Sequence, residues 1–166
     1  MLAVAGMGTM TGCSQNQETL TWMEVTKDIK NKFPDVKQLQ TDDLHSLLSV
    51  PPKKPIFLID ARAKEEFHVS HISGAENIPY NSKEPLKYLI NIKPDNPIVV
   101  YCSVGYRSSI LARKLRSLGF KEVHNLEGSI FKWANEGRPL VQGDTTVHKV
   151  HPYNAHWGSL LERKYH

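Results

Sequence analysis

Cys102-Ser103-Val104-Gly105-Tyr106-Arg107-Ser108 brings a nucleophile, a permissive glycine, a cation and several hydroxyls into one short stretch. The apolar run Ile98-Val99-Val100-Tyr101 in front of it reads as a buried strand. Behind it, Ile110, Leu111, Leu115 and Leu118 recur at helical spacing over residues 108–118, with Gly119 as a stop. The cysteine therefore leaves a strand end and faces a helix N-terminus. There the loop amides of residues 103–107 and the positive end of the helix dipole stabilise an anion on sulfur, and Arg107 adds a full charge. Thiolates in such surroundings titrate at roughly 3.5–7.5, against about 8.5 for a free cysteine, so Cys102 reads as a nucleophile at neutral pH. The competing reading is a buried structural cysteine.

The elements that must hold this loop alternate along the chain. Strands are expected at residues 36–38, 56–59, 98–101 and 123–126, and helices over 41–50, 64–69, 108–118 and 130–135, with a further one marked by Leu86, Leu89 and Ile90 and closed by Pro94. Thr41 is the expected cap of the first of these, with Asp42 and Asp43 in its opening turn and Pro51-Pro52 ending it. Such alternation predicts an α/β domain with a mostly parallel sheet covered by helices on both faces, where ligands bind beyond the carboxyl ends of the strands. Asp60 and Cys102 both stand at such ends.

The cysteine loop resembles that of the rhodanese-like family, which follows a Cys-x-x-Gly-x-Arg-Ser pattern matched here by Cys102, Gly105, Arg107 and Ser108. A second signature of that family is similar to Leu58-Ile59-Asp60-Ala61-Arg62, Glu66-Phe67 and the run His71 to Pro79. A third resembles Asn125-Leu126-Glu127-Gly128-Ser129 with Trp133 and Gly137-Arg138-Pro139. The resemblance covers roughly residues 36–141. Two departures bear on turn geometry and leave the cysteine loop untouched: Ser70 stands where the family has Gly, and Ser129 stands where it has a second Gly.

The resemblance implies a three-layer rhodanese-like domain and a single-domain sulfurtransferase. Cys102 would take sulfane sulfur from a small donor, thiosulfate or a persulfide, and pass it from its own persulfide to a thiol or cyanide. A protein persulfide could also serve as partner. In that scheme Ser103, Val104 and Tyr106 shape the pocket mouth, the loop amides hold the charge on the outer sulfur, and Arg107 binds an anionic donor or stabilises the persulfide. Asp60 is expected to accept hydrogen bonds from backbone or from Arg62 as a support, and His71 to be a structural hydrogen-bonder. No cofactor and no metal is implied. One alternative is a rhodanese-like binding or sensory module without turnover. Another is a Cys-dependent phosphatase or arsenate reductase, but those loops place five residues between Cys and Arg, whereas only Ser103, Val104, Gly105 and Tyr106 intervene here.

At 166 residues, 40% hydrophobic, the chain suits one ordinary domain with added ends. Its net charge of +4 is mild and its basic residues are dispersed, which argues against a nucleic-acid footprint. Two cysteines, Cys13 and Cys102, make no disulfide framework. Residues 1–20 read either as a plain leader or as a lipoprotein signal and linker, with Met10-Thr11-Gly12-Cys13-Ser14 resembling a cleavage site that would leave a lipid anchor on Cys13. The location is accordingly either the cell envelope or the cytoplasm. Residues 21–34 form an appended helix, opened by the capping box Thr21-Trp22-Met23-Glu24 and with Trp22, Val25, Ile29 and Phe33 on one face. The domain proper spans residues 35–141. A tail, 142–166, is expected to dock through Tyr153, Trp157, Leu160 and Leu161, and the spacing of His148, His151 and His156 in it matches no closed zinc pattern.

Overall fold

The computed structural model describes residues 20–50 and 55–166. The Cys13 motif and Pro51-Pro52 lie outside them. The first element of the described residues is α1 (Trp22–Lys32), where the Thr21 hydroxyl accepts from the Glu24 amide and the Glu24 carboxylate accepts from the Thr21 amide. Val25, Ile29 and the following Phe33 turn into the core, so the apolar stripe of α1 covers the domain.

Five strands follow as one parallel sheet: β1 (Lys37–Leu39), β2 (Phe57–Asp60), β3 (Ala75–Asn77), β4 (Ile98–Tyr101) and β5 (Val123–Leu126), in the order β1-β5-β4-β2-β3. Every residue of β4 is buried although successive side chains point to opposite faces, which means that both faces are covered. The connections carry α2 (Thr41–Ser49), α3 (Lys64–Val69), α4 (Tyr106–Ser117) and α5 (Ser129–Asn135). Register pairs Asp60 with Tyr101, so the end of β2 lies beside the residue that delivers Cys102.

Three local readings need correction. The segment around Leu86, Leu89 and Ile90 makes only a 3-10 turn, Pro85–Tyr88, because of these three side chains only Leu89 is buried, while Leu86 is exposed and Ile90 is 79% exposed; so short a helix needs an apolar face to pack. Thr41 is the first residue of α2 rather than its cap, and its hydroxyl donates to Glu136 instead. Helix α4 begins at Tyr106 rather than at Ser108, because Gly105 takes the left-handed conformation, φ 116°, and itself serves as the cap.

Beyond the sheet the chain forms a small antiparallel pair, β6 (Leu140–Gln142) and β7 (Thr145–Val147), and then a single-turn α6 (Ala155–Gly158). Val150, Leu160, Leu161 and Tyr165 of this last stretch are buried in the core. Asn135 fixes it further, donating to the Leu160 carbonyl and accepting from the Glu162 amide.

Candidate active site

Cys102 is free and buried at the carboxyl end of β4. Its backbone is pinned on two sides. The Cys102 amide donates to the Ser129 hydroxyl at 3.1 Å, and the first amides of α5, from Ile130 and Phe131, donate to the carbonyls of Cys102 and Ser103. The helix start that follows β5 is thereby spent on bracing the cysteine loop rather than on a ligand. Ser129 holds its position with φ 51°, left-handed for a residue with a side chain. Its hydroxyl, donating to the Leu126 carbonyl while accepting from Cys102, gives this serine a local reason for standing there.

The sulfur faces the start of α4. The Gly105 amide donates to Sγ at 3.2 Å and the Ser108 hydroxyl lies 3.4 Å from it. Gly105 is required twice over, by its positive φ and by its neighbours, since a Cβ there would stand 3.2 Å from Asn125 Nδ2 and 3.3 Å from Ile29 Cδ1. Ser108 has one proton and two acceptors, Sγ and Asn125 Oδ1 at 2.5 Å, while Asn125 is held by its own donation to Gln38. Burial pushes the Cys102 thiol up. The Arg107 charge and hydrogen bonds from Ser108 and Gly105 pull it down and prevail, leaving it below the ordinary thiol value.

Arg107 does not stand free beside the sulfur. It forms a two-point ion pair with Glu66 of α3, Nη1 to Oε2 at 2.6 Å and Nη2 to Oε1 at 2.8 Å, and also donates to the Ser103 hydroxyl. Glu66 accepts in addition from the Ala63 amide, and burial, which raises its carboxyl, is outweighed by Arg107, so that it stays below its usual range. In the sequence Glu66 stands out only as part of the Glu66-Phe67 motif. The signal for more was a carboxylate in the first turn of a short helix, with an otherwise unpartnered arginine in the cysteine loop.

Asp60 and Arg62 are not part of the cavity. Both are fully buried, with Arg62 donating from its amide, Nε and Nη2 to the Asp60 carboxylate and from Nη2 to the Ser70 carbonyl. They tie the end of β2 to the turn before His71. His71 stacks on Phe67 and pairs through its backbone with Val141.

Cys102, Ser103, Val104, Tyr106 and Arg107 line one cavity of about 110 Å³, together with two residues of the tail, Tyr153 and Trp157. The tail histidines serve local ends: His151 Nδ1 accepts from the Tyr153 amide, and His156 packs edge-on against Trp157.

Comparison with known proteins agrees with this architecture. An uncharacterized protein of Bacillus subtilis, YqhL, is 39% identical over 79 residues, 48% of this chain and 61% of that protein. MoeZ of Mycobacterium tuberculosis, a probable adenylyltransferase/sulfurtransferase, is 31% identical over 86 residues, 52% of this chain and 22% of its own length. The chain thus spans less than two thirds of either relative. A rhodanese-related protein of Thermoplasma volcanium superposes with a TM-score of 0.54 at 27% identity, covering 64% of this chain and 98% of that one. The profile of the Rhodanese-like domain matches residues 40–136. With that match spanning more than half of its length, the chain belongs to the rhodanese-like domain family.

Proposed function

We propose that the protein is a sulfurtransferase that carries sulfane sulfur on Cys102. The observation that supports this most directly is the sulfur itself, lining a small cavity at the start of α4 with the Gly105 amide 3.2 Å away. Preorganised donors aimed at a buried anion stabilise both the attacking thiolate and the charge on a persulfide, and beside a buried sulfur they act more strongly than in water. With thiosulfate, the thiolate attacks the outer sulfur, the donor S–S bond breaks, and sulfite leaves with the electron pair. The charge of the thiolate passes to the outer sulfur of the new persulfide. A thiolate or cyanide then attacks that outer sulfur and the Cys102 thiolate is the leaving group.

The length of the loop favours this reading over the phosphatase or arsenate reductase alternative. Only four residues separate Cys102 from Arg107 where those enzymes place five, and the shorter loop suits a single sulfur atom better than an encircled oxyanion. Intact-mass measurement after incubation with thiosulfate or an alkyl persulfide is the test. One added sulfur on the wild type, lost on treatment with cyanide and absent from Cys102→Ser, is expected. No gain from either donor overturns the proposal.

A further inference from the structure

We propose that Tyr153 and Trp157, both outside the matched family domain, determine which sulfur donors reach Cys102, admitting compact persulfides and turning away bulky ones. This rests on the sulfur-transfer reading above and names the donor class of that same site.

The Tyr153 ring lies on the Arg107 guanidinium, 4.5 Å from its centre, on a cation whose other contacts are Glu66 and the Ser103 hydroxyl. Trp157 closes the cavity on another side and also walls an apolar recess shared with Leu20, Val25, Ile29 and Tyr106. The tail thus supplies two aromatic walls of a space otherwise built from the cysteine loop.

The position of these rings is enforced. Tyr153 has φ 65°, a conformation that side chains other than glycine's rarely adopt, and it holds it while 47% exposed, with no core packing to compensate. Its amide is fixed by His151 Nδ1, and Asn154 Oδ1 caps the turn that presents Trp157. Val150 on one side and Leu160 and Leu161 on the other are buried, so the segment between them is tethered at both ends. Backbone strain kept at a surface residue points to a use for the side chain it orients.

The space left is small. At about 110 Å³ it falls short of the roughly 150 Å³ apolar cavity that accommodates benzene. An outer sulfur with a short substituent fits, and a substituent branched beside the disulfur group meets the rings. In the reaction the Cys102 thiolate attacks the outer sulfur of R–S–SH, a new S–S bond forms on Sγ, the donor S–S bond breaks and RS⁻ departs. The outer sulfur keeps its proton, and no oxidant or reductant enters.

The test compares methyl and tert-butyl hydropersulfide as single-turnover donors, with loading of Cys102 read by intact mass. Wild type should favour the methyl donor by about tenfold more than a free small thiol does, the scale on which a pocket discriminates by a few carbons. Tyr153→Ala and Trp157→Ala should each lower that ratio severalfold, whereas Tyr153→Phe, which keeps the ring, should preserve it. Tyr153→Gly relieves the backbone strain and serves as the folded control if Tyr153→Ala is unstable. A wild-type ratio equal to that of the free thiol, or ratios unchanged in both ring-deleted variants, overturns the inference and leaves sulfur transfer standing. A wild type that loads from neither donor overturns both.

Discussion

Arg107 and Glu66 face each other across the mouth of the cysteine loop as a two-point ion pair, with only 14% and 5% of their side chains exposed. The cation nearest the sulfur is therefore balanced by an anion from a different helix. Glu66→Gln should leave the guanidinium charge uncompensated, lower the Cys102 thiol further and cost about 3 kcal/mol, the low end for removing one partner of a buried pair. Urea unfolding and the pH profile of iodoacetamide alkylation check the two parts.

The thiol of Cys102 is held below its ordinary value in the fold, chiefly by Arg107, against the opposing effect of burial. The inflection in alkylation rate should accordingly fall below the roughly 8.5 of a free thiol. It should move up in Arg107→Met and in Ser108→Ala. Because the depressed group favours its charged form in the fold, its contribution to stability is complete above the unfolded value and disappears as pH falls through the folded one. The stability of wild type relative to Cys102→Ser should therefore rise with pH between those two values.

Asp60 and Arg62 are both fully buried and joined at 2.6 Å. Asp60→Asn or Arg62→Leu alone strands a buried charge and should cost about 3–5 kcal/mol. Replacing both by apolar residues should recover part of that loss, as a denaturation series of the two single variants and the double variant will measure.

Ser129 carries left-handed backbone and accepts the Cys102 amide proton. Ser129→Ala keeps the strain and loses the hydrogen bond, whereas Ser129→Gly loses the bond but accepts the conformation freely. The alanine variant should be less stable than the glycine variant by about 1 kcal/mol. Equal thermal midpoints would show that the conformation carries no strain.

The parts of this protein set by neighbours along the chain were legible in its residues. The apolar run 98–101 ahead of Cys102 and the helical spacing behind it place the cysteine at a strand end facing a helix, and Asp60 reaches Arg62 two residues on. The capping box at Thr21 and the burial of Val25 and Ile29 follow from the same local rules. The Leu86 to Ile90 segment misled for the converse reason: its spacing is helical, but the fold offers it almost nothing to pack against.

What only the tertiary structure decided is the electrostatic and steric setting of the sulfur. Glu66 lies 41 positions from Arg107 and Asn125 lies 17 from Ser108. The Tyr153 ring meets Arg107 because Val150 and Leu160 anchor the tail in the core. Side-chain pairs brought together by sheet order and docking leave no periodicity in the sequence, because the distance that joins them is measured through the core and not along the chain.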